Sequence, residues 1–538
     1  MNNASLLAAR ILSLVRDAGY LPPDHAVSVA GNLLEARPMT DAFALLAPAL
    51  IRHAALFDPF DRDKLRLARD VNERVPHPPF SAWLETADRL TAQDPLPENL
   101  PQPTPGADSP KAFVAYMRAQ PANQHRFPVL LHLWQSGARE PLVAAIRIMA
   151  ESPSGLLAGP LMAWGAYAAG EPLLAEMLLE EGVENFMAHN LRARMALDKG
   201  DGTEARSHMA ASLAAEPFQP SLIEQMAIPD VPLPLPGPDT VVCLYTWNKP
   251  DLLATTLESL AGTELGEARV IILNNGTTTC PAEELEARIH NAAPSLSPQW
   301  VHLPVNVGAP AARNWLLALD EVRAARYVAF LDDDVLLPRQ WLGRYLATLK
   351  QFNAVAVGPK CVNRDVRTLQ YVFRRFQEVG ETKIRFTPNA PNLMDMGQFD
   401  GARPSLTVMG CCHMLDRERL DRLGVPGFDV RFSPSQVDDI EHDLQIWKAG
   451  GRVMYDGAVE VVHMQDTGKG RTRAAAGHAF ANHSKMENKF SAQELEAMNQ
   501  AERTAEAASF SKAVTKVLPQ LHGPAKTFWT IMAHTLTK

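Results

Sequence analysis

Tyr327-Val-Ala-Phe-Leu-Asp-Asp-Asp-Val335 sets an apolar run, Val328 through Leu331, directly against three carboxylates, Asp332, Asp333 and Asp334. The run has the length of a buried strand, and in an open α/β sheet ligands bind beyond the carboxyl ends of the strands. Adjacent carboxylates at such an edge repel one another unless a cation or hydrogen-bond donors stand between them. Their oxygens suit Mg2+ or Mn2+, ions that also take oxygens from a substrate's phosphates. By itself the triplet reads equally well as an acidic turn after a strand, so the surrounding chain has to decide.

Outward from the triplet the chain alternates between β and α patterns. Residues 240–245 and 269–273 read as buried strands, with an amphipathic helix over 251–260 between them. A third strand is expected over 300–303 and a helix over 309–319, just before the opening stretch. Strand alternating with helix implies a mainly parallel sheet with helices on both faces. Further on, Ile440, Leu444 and Trp447 fall at i, i+4 and i+7, which predicts a helix with one buried face. Asp438 and Asp439 fall in its first turn, where acids also complement the helix dipole. Residues 458–462 form a last apolar strand ending at His463.

Upstream the pattern is helical. Two proline-rich runs, 95–110 and 229–238, divide the chain into expected regions 1–94, 111–228 and 239–465, with 466–538 following as a basic loop and a helical extension. Gly170-Glu-Pro-Leu-Leu-Ala175 recurs loosely, thirty residues on, as Gly200-Asp-Gly-Thr-Glu-Ala205. The recurrence resembles helix-turn-helix repeats of the tetratricopeptide kind, although it is shorter than their usual period. Such a region either docks a protein partner or packs on the α/β part for stability.

A net charge of −9 over 538 residues, with no strong basic stripe, argues against nucleic acid as a partner. Five cysteines without C-x-x-C spacing fit a reducing compartment. With no signal-peptide pattern at the start, and with Pro160 interrupting the longest uncharged stretch, a soluble, cytoplasmic protein without a transmembrane segment is expected.

Five ordered segments over 239–465 together resemble a family-2 glycosyltransferase domain of the GT-A fold. They are Tyr245-Thr246-Trp247-Asn248; Leu273-Asn274-Asn275-Gly276; Asn306-Val-Gly308 through Arg313-Asn314; Leu331-Asp-Asp-Asp-Val335, which is similar to the D-x-D motif; and Gly427-Phe-Asp with Asp438-Asp439-Ile-Glu441. The resemblance implies an inverting, metal-dependent transfer of a sugar from a nucleotide-sugar to a hydroxyl on a glycan or protein, hexosyl or N-acetylhexosaminyl in type. Mn2+ or Mg2+ would be the cofactor, held by Asp334 and His463. Asp332 and Asp333 would serve the nucleotide-sugar together with Thr246, Asn248, Asn274 and Arg313. Strand alternation lets Asp332 and Asp334 share a side that Asp333 does not.

The resemblance also makes Asp439 the general base, with Asp438, where the family usually carries Glu, beside it. Gly410, His413 and Glu441 are expected on the acceptor side. Asn274 stands where the family has an Asp that holds a uridine base. UDP is the first choice of nucleotide, with GDP and dTDP open. The loop carrying Lys469, Arg471 and Arg473 either folds over the diphosphate or is a solvated basic loop. The competing reading is an adaptor that binds a nucleotide-sugar with little or no turnover and engages a protein through its helical half.

Overall fold

Thirteen α-helices, from Asn3–Ala18 to Pro220–Met226, precede the sheet in the computed structural model, which describes residues 3–37, 39–229, 232–373, 375–377, 385–387, 392–464 and 473–537. Local chemistry starts them: Thr40, Asp61, Asn185 and Asp201 each accept a hydrogen bond from a first-turn N–H, and prolines open the helices Pro78–Thr91, Pro110–Ala119, Pro172–Glu181 and Pro220–Met226.

The two related segments noted above prove to be the same turn used twice. Gly170 (φ 74°) and Gly200 (φ 79°) each close a helix in the left-handed region. The N–H groups of Glu171 and Asp201 then reach back to Ala166 O and Ala196 O, each at 2.9 Å. The outcome is two helical hairpins, Gly159–Ala168 with Pro172–Glu181 and Phe186–Asp198 with Gly202–Ala215.

The helices Ala492–Val517 and Gly523–Thr537 return to this body instead of extending from it. The second packs on Asn3–Ala18, Asp41–Phe57 and Gly202–Ala215, and the Trp529 indole N–H donates to Pro217 O at 2.9 Å. Among the described residues, no helix is long and apolar enough to cross a membrane.

The strands are β1 (Thr240–Thr246), β2 (Arg269–Asn275), β3 (Gln299–Leu303), β4 (Tyr327–Leu331), β5 (Val335–Leu336), β6 (Ala356–Val362), β7 (Thr368–Tyr371), β8 (Arg375–Gln377), β9 (Arg385–Thr387), β10 (Leu393–Met394), β11 (Ala402–Pro404), β12 (Cys412–Asp416) and β13 (Val453–His463). All but the β8–β9 pair form one sheet, in the order β10-β7-β6-β12-β4-β1-β2-β3, with β13 pairing β6, β5 and β11.

β1 to β4 are mutually parallel where they pair, and β12 enters antiparallel between β4 and β6. Val241, Cys243 and Phe330 fill one face of this sheet; Val242, Leu244 and Leu331 fill the other. Burial on both faces explains why these strands read as continuous apolar runs and not as alternating ones. The mixed, mainly parallel sheet after an all-helical region is the architecture expected from the sequence. β13 differs in extent, beginning at Val453 instead of 458. Asp456 and Gly457 interrupt its apolar pattern, and its register against β6 shifts between Asp456 and Glu460.

Candidate active site

Parallel pairing of Leu244 with Leu331 brings the ends of β1 and β4 to one edge, so Tyr245 and Thr246 lie beside the acid triplet. The Asp332 N–H donates to Cys411 O (2.9 Å) and the Val335 N–H to Thr256 Oγ1 (3.0 Å), which fixes the turn between them. β5 then pairs antiparallel with the end of β13, His463 opposite Val335, and the Met464 N–H donates to Asp334 O at 2.8 Å. That register delivers the His463 imidazole to Asp334 from a point far along the chain.

Asp332, Asp334 and His463 present one ligand atom each, all within 4.8 Å of one another. Asp334 Oδ1 and His463 Nε2, 3.3 Å apart and buried, lack hydrogen-bond partners of proper geometry. The other imidazole nitrogen, Nδ1, meets Gln370 Oε1 at 3.0 Å. Since Gln370 Nε2 donates to Asn363 Oδ1 and to His463 O, each at 2.8 Å, its Oε1 is an acceptor. Gln370 therefore keeps a proton on Nδ1 and turns Nε2 toward the carboxylates, where loss of the Nε2 proton would free a lone pair for a metal, the usual orientation of a metal-binding histidine. Two carboxylate oxygens and one imidazole nitrogen fit a divalent cation of the Mn2+ or Mg2+ type.

The charges are balanced within the chain as well. Lys249 Nζ stands 3.1 Å from Asp333 Oδ1 and 3.0 Å from Asp334 Oδ2. Burial pushes Asp334 up, yet His463 and Lys249 outweigh it and hold the group at about 2. Burial also lowers His463, but Cys411 and the two carboxylates raise it to about 9. Asp333 also accepts from Thr246 Oγ1 at 2.7 Å, and burial raises it to about 6.

The second acid pair opens the helix Asp438–Lys448, after Gln436 (φ 76°) and Val437 (φ 74°). A β-branched residue with positive φ is strained, and here the strained turn aims the two carboxylates. Buried Asp438 receives Arg313 Nη1 at 2.6 Å, whereas half-buried Asp439 accepts the Gly410 N–H at 2.9 Å through Oδ2. Burial raises Asp438 to about 6 in spite of Arg313. A Cβ on Gly410 would lie 2.8 Å from both Cβ and Oδ2 of Asp439, so only glycine fits.

Several expected contacts are made within the protein. Arg313, expected at the nucleotide, is buried between Asp438, Gly410 O (3.2 Å) and Asp332 Oδ1 (3.8 Å), linking the two acid groups. Asn248 (φ 56°) uses its side-chain oxygen on the N–H groups of Thr278 (2.7 Å) and Thr279 (3.3 Å), stapling the loops after β1 and β2 together. Asn274 Oδ1 accepts from the Thr277 N–H at 2.9 Å, and its Nδ2 lies 3.2 Å from His302 Nδ1.

Two residues expected on the acceptor side are buried against other side chains. His413 is buried with its Nε2 3.2 Å from Asp443 Oδ1, because β12 lies inside the sheet and its side chains meet the overlying helix. Glu441 is buried against Lys489 and Gln445. The loop of Lys469 and Arg471 lies outside the described residues, as does the side chain of Arg473.

Sequence reasoning missed Tyr245, Lys249 and Gln370. Tyr245 Oη donates to Asp332 Oδ1 at 2.9 Å. Lys249 could have been found, since Pro250 at a helix start sets the preceding residue at the sheet edge. Gln370 gives no signal, being 93 residues from the histidine it orients.

Residues 241–424 match the family model for glycosyl transferase family 2. The match ends before Asp438. The succinoglycan biosynthesis protein ExoM of Rhizobium meliloti (strain 1021) is 26% identical over 228 residues, which is 40% of this chain and 63% of that protein. The chain thus spans less than two thirds of that relative's length. Among solved structures, the mannosyltransferase PcManGT of Pyrobaculum calidifontis, in complex with GDP-Man and Mn2+, aligns at 18% identity over 65% of this chain and 96% of its own, with a TM-score of 0.35. GalNAc-T7 with UDP, GalNAc and Mn2+ aligns at 14% identity over 53% of this chain and 58% of its own, with a TM-score of 0.36.

Proposed function

We propose that the protein is an inverting glycosyltransferase that moves a sugar from a nucleotide-sugar, a UDP-sugar in the first instance, to an acceptor hydroxyl. The observation that carries this reading is the division of the two acid groups. Asp332, Asp334 and His463 converge as a cation-type cluster, and a separate carboxylate, Asp439, is the more accessible of its pair. Asp332, Asp334 and His463 would hold a divalent cation, which would neutralise the diphosphate leaving group when bound.

The chain's own residues do the rest. Lys249 adds a positive charge at the same edge. Asp439, oriented by the Gly410 N–H, takes the proton from the acceptor hydroxyl. Asp438 stays paired with Arg313 and is not free to compete for that proton. Attack from the face opposite the leaving group then inverts the anomeric centre. We read the helical half as the part that meets a protein or glycan-bearing partner.

The test is turnover of nucleotide-sugars with Mn2+ or Mg2+, including slow hydrolysis without acceptor. Asp334→Ala should abolish cation-dependent turnover. Asp439→Asn should cut transfer by about 10²–10⁴-fold while donor binding persists. Unchanged transfer in folded Asp439→Asn removes the base assignment. One feature favours the adaptor reading: Asn274 has no charge, and its amide is engaged by Thr277 and His302. A protein that binds a nucleotide-sugar calorimetrically yet forms no product with any acceptor supports that alternative.

A further inference from the structure

A cleft of about 650 Å3 opens on the side of the sheet remote from the acid triplet. β12 lies antiparallel between β4 and β6, so β6 runs in the same direction as β4. Asn353 and Val355, which lead into β6, therefore sit at the end from which the strands start. The turn before β13 lies beside them, and the Val355 N–H donates to Arg452 O at 2.8 Å. One wall is the helix Arg417–Leu423; the other is the helix Ala492–Val517.

The lining includes three arginines, Arg419, Arg422 and Arg452, and no acidic side chain, in a chain whose net charge is −9. Two of the three have carboxylate partners behind them. Arg419 Nε lies 3.1 Å from Asp416, and Arg422 Nη2 lies 2.7 Å from Glu418 in an exposed pair of the kind that contributes little. Arg452 is different. Its Nη1 donates to Phe352 O at 2.9 Å, and among the described residues no carboxylate lies within 4.0 Å of its guanidinium. A half-buried guanidinium with unused donors is suited to paired contacts with an oxyanion. Asn353, Gln500 and Thr504 add neutral hydrogen-bonding groups around it. The volume is that of a small-ligand site.

We propose that this cleft binds a multiply charged oxyanion, a carboxylate- or phosphate-bearing chain, with Arg452 as the principal contact and Arg419 and Arg422 flanking it. The site is separate from the acid cluster and does not depend on the transferase reading.

Calorimetry on the full chain, free of divalent cation, tests it with three probes: trigalacturonic acid, inorganic tripolyphosphate and neutral maltotriose. One of the two anions should bind at one site per chain and weaken as ionic strength rises, and maltotriose should not bind. The anion that binds more tightly tells whether the cleft prefers carboxylate or phosphate oxygens.

Arg452→Gln should weaken binding at least about tenfold. Ala501→Glu, which sets a carboxylate on the exposed helical wall without touching an arginine, should do the same and leave nucleotide-sugar turnover unchanged. Ala501→Glu keeps the test valid should Arg452→Gln fold poorly. The proposal is overturned by binding of neither anion, or by binding that Ala501→Glu leaves intact.

Discussion

Arg313 Nη1 lies 2.6 Å from Asp438 Oδ2, and the same guanidinium reaches Gly410 O and approaches Asp332. One buried cation thus joins the cluster of Asp332, Asp334 and His463 to the acid pair of the helix Asp438–Lys448. Its Cζ lies 5.3 and 5.1 Å from the centres of the Tyr245 and Phe428 rings, within reach of cation–π attraction.

Arg313→Lys keeps the charge but loses the planar fork. It should leave the melting temperature within a few degrees of wild type and lower kcat at least about tenfold, with a smaller change in donor KM. Arg313→Ala strands the buried Asp438 carboxyl and should cost about 3–5 kcal/mol of stability. Steady-state kinetics with thermal unfolding of both variants checks this.

Gln370 sets the tautomer of His463 without approaching the cluster itself. Gln370→Leu should raise the Mn2+ concentration for half-maximal activity by about 10–100-fold, as loss of an outer partner of a ligating histidine does elsewhere. Saturating cation should restore most of the rate. A cation titration of activity gives the answer.

Gly410→Ala puts a methyl 2.8 Å from Asp439. Displacement of that carboxylate should abolish transfer, at a stability cost of about 1–3 kcal/mol. Donor binding, which we propose for the other acid group, should survive. Comparing donor affinity by calorimetry with transfer rate separates the two effects.

In the helical body, Arg52 Nε meets Glu216 at 2.7 Å, both side chains nearly buried. Burial pushes Glu216 up, but the guanidinium outweighs it and brings the group from 4.5 to about 2. A depressed carboxylate stabilises fully above its unfolded value and loses that contribution as pH falls through its folded value. The pair should therefore contribute about 3 kcal/mol near neutrality, lost between about pH 4.5 and 2. The stability gap between wild type and Glu216→Gln, read from thermal melts, should narrow as pH drops through that window.

The sheet was legible because its central strands are buried on both faces and bounded by Pro and Asn-Gly turns. The Asp332–Asp334 alternation was read from the period of a strand, but the triplet lies in the turn after β4, so those two residues meet His463 through the turn and the β5–β13 pairing. Three kinds of feature were not legible. Arg313 looks like any helix cation until the packing turns it inward. His413 and Glu441 sit at motif positions, but their surroundings, Asp443 and Lys489, come from other elements. The Gln370–His463 contact depends on the register between distant strands, which no local pattern encodes.

The helix Gly523–Thr537 has its own consequence. It rests against helices from the first sixty residues and from just before the sheet. During synthesis, the helical body cannot close until the ribosome has delivered this segment, well after the sheet residues have emerged. Release of chains stalled before residue 523 should leave Pro217 and its apolar neighbours open to protease and chaperone.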